Sequence, residues 1–290
     1  MEQVLTAAPV LPAPSPASVR VVRLVPTKGW APLRLDLVWA YRELLYFLAL
    51  RDVKVRYKQT ALGAAWAVLQ PLAATLVFTV VFGRLAKVPS DGVPYTPFAL
   101  AGMVAWTYFS TSLTACSLCL VSNVNLVAKV WFPRLCLPIA TVLAGLVDLA
   151  VALALLTVVT LGYGVVPGPR LLLLPLLVVL LVVSCLGAGL WLSAINVRYR
   201  DVRQAMPFLL QVWLFATPVV YPSSLVDGVW RYVYALNPVV GVVEGLRWAF
   251  LDSGTHVGGV VAASSVSALV LLVSGAFFFR RGERSFADIV

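Results

Sequence analysis

The sequence predicts an all-α integral membrane protein with six transmembrane helices, an amphipathic N-terminal interfacial helix, and two short re-entrant helices between the fifth and sixth spans. Three observations carry that expectation. Hydrophobic residues make up 61% of the 290 and charged residues 12%, with a mean hydropathy of +0.94, which is more apolar surface than one soluble core buries. Uncharged runs recur at the length of roughly 20 residues that a helix needs to cross a hydrocarbon core of about 30 Å. Lysine and arginine gather at alternate ends of those runs, as they do on the cytoplasmic flanks of membrane helices.

Residues 1–32 are rich in Pro, Ala and Val, and the prolines of LPAPSPAS exclude a continuous helix. A disordered cytoplasmic tail is expected there. It lacks an unbroken apolar stretch preceded by positive charge, so no cleaved signal is expected. Residues 33–58 read as an interfacial helix and a basic collar. Leu37, Val38, Tyr41, Leu44, Leu45 and Leu48 recur at helical spacing among Arg34, Asp36, Arg42 and Glu43, a pattern that suits a helix lying on the membrane. Phe47 falls on the polar side, where a partner surface would cover it. The collar is Arg51, Lys54, Arg56 and Lys58.

The transmembrane domain occupies 59–280, with spans at 61–83, 98–121, 137–161, 171–195, 204–221 and 257–279, and 281–290 follows as a cytoplasmic C-terminal tail. An even count puts both termini on one side. The cations test this independently: 17 Lys and Arg fall in segments assigned inside, and five (Arg84, Lys87, Arg170, Arg231 and Arg247) outside. That asymmetry sets the termini in the cytoplasm. The net charge of +10 is therefore read as membrane orientation, not as a nucleic-acid surface, because the cations lie beside hydrophobic runs. Residues 221–254 hold aromatics throughout and prolines at 222 and 238, too apolar for an ordinary loop. Two helices that enter the outer leaflet and return would bury their turns in protein; an interfacial aromatic belt is the other reading.

Catalytic chemistry is not expected. The one histidine, His256, sits in an outside turn, and the 12 acids form no close carboxylate pair. Cys116, Cys119, Cys136 and Cys185 lie in or beside apolar runs and read as small core residues; the C-x-x-C has no second pair and no histidine nearby, so no metal site is expected. Asp148 is the one acid near the middle of a span, where an unpaired carboxylate costs about 2.5 to 3.5 kcal/mol. It reads either as a proton relay or as a protonated or hydrogen-bonded carboxyl between helices. No G-x-x-x-x-G-K-[ST] occurs, so ATP, if used, is hydrolysed by another subunit.

Two cytoplasmic loops look structured: NVNLVAKVWFPRLCLP and NVRYRDVRQAMP. In the first, Lys129 and Arg134 flank Trp131, Phe132 and Pro133. Aromatic anchors beside arginine favour a protein interface, and membrane-surface anchoring fits the composition equally well. In the second, Arg198, Arg200, Asp201 and Arg203 read as an orienting collar.

Five segments in order carry a resemblance: WAYRELLYFLALRDVKVRYKQTALGAAWAVLQPL, KVWFPRLCLPIA, NVRYRDVRQAMPFLLQVWLFATPVVYP, ALNPVVGVVEGLRWAFL and RRGERSFADIV. Together they resemble the membrane permease of bacterial ABC type-2 exporters for polysaccharides, the group that handles O-antigens, capsules and teichoic acids. The likeness covers nearly everything after residue 33. It implies a homodimer in the bacterial cytoplasmic membrane, each copy docked on a separate ATPase subunit that binds ATP and Mg, exporting a glycan on a polyprenyl pyrophosphate lipid. No cofactor belongs to this chain in that picture.

By the same resemblance, Lys129, Trp131, Phe132, Pro133 and Arg134 become candidates for coupling to the ATPase, with Arg198, Tyr199, Arg200 and Asp201 as a second contact. Pro222, Asn237, Pro238, Glu244 and Arg247 fall where the family has its outer gate helices; Glu244 and Arg247 are three apart and suited to pair on one face. Arg51, Lys54, Arg56 and Lys58 are the expected landing site for an anionic pyrophosphate. Trp66, Trp106, Tyr108 and Phe109 are candidates to line a passage for sugar. Three alternatives stay open: a type-2 permease for a drug, lipid or heme-like cargo; a proton-coupled carrier using Asp148; and a membrane transferase acting on polyprenyl phosphates, for which no loop offers a metal-binding acid cluster.

Overall fold

A chain that is apolar on nearly every face must satisfy its backbone within each segment, and a helix does this. The computed structural model describes residues 35–58, 65–199, 201–226, 228–253 and 257–289, and helices are the only regular structure among them. The expected tail 1–32, Arg200 and His256 lie outside the described residues. A short α1 (Leu35–Ala40) leads into α2 (Arg42–Tyr57), and α3 (Ala65–Phe78) ends in a π-helical segment, Thr79–Leu85. Then come α4 (Tyr95–Ser122), α5 (Val124–Lys129), α6 (Cys136–Ala144) and α7 (Leu146–Gly162). A 3-10 turn, Pro169–Leu173, opens α8 (Leu174–Arg198), which is followed by α9 (Val202–Phe215). The remaining helices are α10 (Trp230–Tyr234), α11 (Pro238–Leu251) and α12 (Val257–Ile289).

The bundle is organised around α4, whose residues from Phe98 through Phe109, with Leu113, Cys116 and Leu120, are buried on nearly all sides except at Thr107. Helices α3, α6, α7, α8 and α11 pack around it. The tightest crossing joins α8 to α12: a Cβ at Gly275 would stand 2.6 Å from the Gly187 carbonyl oxygen, and one at Gly187 would stand 2.8 Å from the Leu272 nitrogen. Two backbones in direct contact need that pair of glycines, the usual device for helix association in lipid. The four cysteines are free and buried, as core residues.

Among the described residues, five helices are long and apolar enough to cross a membrane: Ala65–Leu85, Tyr95–Ser122, Cys136–Gly162, Pro169–Arg198 and Val257–Glu283. The expected span at 204–221 is different. Its helix, α9, stops at Phe215 after 14 residues, which at 1.5 Å per residue reaches only about 21 Å. The carbonyls beyond that stop are taken by side chains from elsewhere in the bundle. Val219 and Tyr221 give theirs to the Arg247 guanidinium, at 2.8 and 3.3 Å, and Val220 gives its own to the Tyr95 hydroxyl at 2.6 Å. Pro218 has no N–H to continue the ladder.

Arg247 is 1% exposed. Besides those two carbonyls it donates to the Phe98 carbonyl at 3.3 Å and to Glu244 at 3.1 Å, and its guanidinium lies 3.5 Å from the centre of the Phe98 ring. Glu244 and Arg247 therefore form the pair that their spacing suggested. Asn237 ties the same region from the other side. Its side-chain oxygen accepts from the Val239 N–H at 3.2 Å, capping α11, and from the Trp213 indole at 3.0 Å, while its amide donates to Thr217 at 2.9 Å. Pro238 occupies the first turn of α11, where a missing N–H costs nothing.

Helix α12 passes without a break through the boundary expected at 280/281 and continues to Ile289. Glu283 holds it there by pairing with Arg280 and accepting the Arg134 guanidinium on its backbone carbonyl, and Phe286 meets Phe279 edge-on at 5.3 Å.

Removing one member of a buried ion pair leaves the other uncompensated, at about 3 to 5 kcal/mol. Arg247→Met is expected to lower the thermal midpoint of the purified protein more than Glu244→Gln does. The double variant is expected to recover only part of the loss, because the carbonyls of Val219 and Tyr221 lose the donor that Arg247 supplies. Full recovery would mean that the ion pair alone matters.

Candidate functional site

The basic collar forms the last turns of α2, with Lys58 as the residue that closes the helix. Leu48 anchors α2 against α6, buried among side chains that include Leu120, Leu137 and Ala140. This packing covers one face of α2, while Phe47 on the opposite side stays exposed. The four collar cations divide sharply. Arg51 pairs with its neighbour Asp52 at 2.8 Å, and Asp52 also receives the Thr141 hydroxyl at 3.4 Å. Lys54 and Lys58 are exposed and form no ion pair with the described residues. Arg56 reaches across to α7 and pairs with Asp148.

Asp148 is thus not left alone in its span. Arg56 donates to one carboxylate oxygen and the Tyr57 hydroxyl to the other. Burial, with the bond to Asp148, pushes the Tyr57 phenol up to about 12, so it keeps its proton and remains a donor at neutral pH. A carboxylate with a cation and a hydroxyl on it needs no solvent, and this offsets the cost of its depth.

Around this pair lies a cavity of about 300 Å³ bounded by α2, α3, α4 and α7. Arg56, Tyr57 and Asp148 form one wall, Trp66 and Gln70 of α3 another, and Thr107, Tyr108 and Thr111 of α4 a third. The Tyr108 hydroxyl is already committed to the Val142 carbonyl at 3.0 Å, so this side chain presents its ring more than its oxygen. An indole face beside hydroxyl, amide and carboxylate groups is the mixture that a sugar ring uses: an apolar face to stack on, polar edges to bind.

The four aromatics expected to line a passage therefore separate. Trp66 and Tyr108 share the cavity, whereas Trp106 and Phe109 are packed inside the bundle, Phe109 edge-on to Trp213 at 4.9 Å. Helical phase explains the split. Val104, Thr107, Tyr108 and Thr111 are spaced i, i+3, i+4, i+7 and share the cavity face, while Trp106 and Phe109 point elsewhere. Sequence reasoning passed over Gln70, Thr107 and Thr111. Their signal was there, as polar side chains at helical spacing within apolar runs.

Of the expected outer-gate residues, Asn237 and Pro238 open α11, Glu244 and Arg247 lie further along it, and Pro222 is buried in the segment after α9. The expected coupling loop also has two parts. Lys129 and Trp131 are exposed, with Trp131 edge-on to Tyr41 at 6.1 Å. Phe132 and Pro133 are buried, and Arg134 is bound to Glu283 of α12 through both its backbone N–H and its guanidinium. In the second loop Arg198, Tyr199 and Asp201 are exposed, with the Arg198 guanidinium 5.7 Å from the Tyr199 ring.

Comparison with known proteins places this architecture. Residues 43–251 match the family described as ABC-2 type transporter. An O-antigen export system permease protein RfbA of Myxococcus xanthus is 30% identical over 256 residues, covering 87% of this chain and 97% of that protein. A protein of the same name from Klebsiella pneumoniae is 24% identical over 249 residues, 86% of this chain and 95% of that one. The polysialic acid transport protein KpsM of Escherichia coli is 25% identical over 244 residues, 82% and 93% of the two chains. With a family match across most of its length and five apolar helices long enough to span, the chain belongs to the ABC-2 type transporter family.

Proposed function

We propose that this chain is the permease subunit of an ATP-driven exporter that moves a lipid-linked polysaccharide, of the O-antigen, capsular or teichoic acid kind, across the bacterial cytoplasmic membrane. The observation that carries the reading is the cavity at Asp148. There a cation from the basic helix, an indole and a row of polar side chains meet at the edge of an apolar bundle, in a chain whose relatives along most of their length are O-antigen and polysialic acid permeases.

In this reading α2 lies at the cytoplasmic interface and the termini face the cytoplasm, as the cation count requires. The fifth membrane passage is α9 together with the turn after it. Its shortfall in length is met by α10 and α11 dipping into the outer leaflet, with the nearly complete burial of α11 keeping its turns out of lipid. Two copies form the transporter: Gln211 on α9 is exposed, and an amide facing hydrocarbon has no partner until a second protein surface supplies one. ATP and Mg are held by a separate ATPase subunit on each copy.

The pyrophosphate of the carrier lipid meets Lys54 and Lys58, the exposed cations of the collar, where each adds about 1 kcal/mol of attraction near the surface. Arg56 is the inner member of that series, balanced by Asp148 until the anionic group competes for it. The glycan then passes over Trp66 and the polar row of α4. Lys129, Trp131, Tyr199 and Asp201 form the surface that receives the ATPase, while Phe132 and Arg134 transmit its movement into α12.

In the producing bacterium, loss of this chain is expected to leave the finished polysaccharide on its polyprenyl lipid inside the cell and absent from the surface. Surface polysaccharide at the normal level would overturn the reading. Replacing Lys54 and Lys58 together by Gln is expected to lower export several-fold with insertion unchanged; normal export would remove the collar from the substrate path. At the coupling loop, Phe132→Ala is expected to destabilise the fold by about 3 to 5 kcal/mol. Trp131→Ala is expected to leave the thermal midpoint unchanged while weakening capture of the ATPase subunit in a pull-down.

A further inference from the structure

The cytoplasmic ends of α8 and α12 enclose a second cavity, of about 350 Å³, that the transport reading does not use. Its origin is geometric. The two helices touch at Gly187 and Gly275, and one turn further on the Trp191 and Phe278 rings stack between them at 4.1 Å and 18°. That stack wedges the helices apart, and the space beyond it is walled by Ala194, Val197, Phe278 and Phe286, with Arg198 and Arg281 contributed from opposite sides.

The charge in this space is unbalanced. No carboxylate among the described residues lines it. Glu283 of α12 is already committed to Arg280 and to the Arg134 backbone N–H, and neither Arg198 nor Arg281 forms an ion pair with a described residue. Arg198 and Arg281 both line this cavity, and two like charges there favour an anion between them. The cavity lies where two spanning helices end, at Arg198 and Glu283, which is the level of lipid head groups. Its floor is apolar and its mouth cationic.

We infer that this cavity is a binding site for an anionic phospholipid, with the phosphate between Arg198 and Arg281 and the top of an acyl chain against Val197, Phe278 and Phe286. Basic pockets between membrane helices on the cytoplasmic side take lipid phosphates in this way. A soluble anion would leave the aromatic wall uncovered. An acidic side chain of a partner protein would have to enter a space flanked by two spanning helices. The site assigns Arg198 to lipid, although the loop that follows it is a candidate contact for the ATPase. The inference rests on the cytoplasmic placement of this end of the bundle and is independent of what the transporter carries.

The test uses the purified full-length chain, with lipid retention read by native mass spectrometry and protection read by thermal unfolding in mixed micelles of phosphatidylglycerol or phosphatidylcholine. Phosphatidylglycerol is expected to be retained and to protect in preference to phosphatidylcholine. Arg198→Gln or Arg281→Gln is expected to weaken that preference about fivefold each, and both together roughly thirtyfold. R198K/R281K is expected to keep most of it, and Arg84→Gln all of it. Equal retention of the two lipids by the unmodified chain overturns the proposal, and does so even where the double Gln variant fails to fold. So does protection by inorganic phosphate as strong as that by the lipid. Capture of the ATPase subunit lost in R198Q/R281Q with lipid retention intact would transfer the site to a protein partner. Because the readout is lipid bound to isolated protein, a wrong assignment of cargo leaves it unaffected.

Discussion

A guanidinium sealed in an apolar interior must find an acceptor for its N–H groups, and the way Arg247 does so joins α4, α11 and the segment after α9. Its partners come from three places: Glu244 one turn back on α11, the Phe98 carbonyl in α4, and the carbonyls of Val219 and Tyr221 after α9. Those last two carbonyls would otherwise belong to a continuing helix. By taking them, Arg247 ties the segment after α9 to α11 and to α4. The backbones approach closely there, for a Cβ at Gly102 would lie 2.8 Å from the Val219 carbonyl oxygen. Arg247 therefore acts as a structural organiser of this region, and any rearrangement of it must keep those hydrogen bonds or exchange them.

A second electrostatic constraint, of the opposite sign, acts on α2. Asp148 draws Arg56 and Tyr57 to it, and with Leu48 packed on α6 this holds α2 at two points along its length. The consequence is a division of labour within one basic segment. Arg51 and Arg56 are neutralised by Asp52 and Asp148, whereas Lys54 and Lys58 keep their charge for the outside. A collar that orients the chain in the membrane can also be built into the fold, because topology depends on the number of cations and packing depends on where each one points.

Much of this was legible in the sequence. The long apolar runs, the four core cysteines and the short helices in 221–254 needed only composition and spacing, and the Glu244–Arg247 pair needed only a three-residue offset. Asp148 could be recognised as anomalous from its depth. Its partner could not, because Arg56 lies 92 positions away and no local pattern joins an interfacial helix to the third apolar run. The aromatics of α4 show the same limit at finer scale. Tyr108 and Phe109 are adjacent and similar in composition, yet one borders a cavity and the other fills the core, a difference of helical phase that becomes meaningful only once neighbouring helices are in place.

Composition and spacing are enough for the class of molecule, since apolar length and cation count belong to each segment and do not depend on contacts. Which side chains meet is settled by packing: that α9 stops short, that Phe132 is buried while Trp131 is exposed, and that two arginines from different helices line one cavity. Those outcomes depend on the need of every buried polar group for a partner, and in a helical bundle the partner usually arrives from a segment far away in the chain.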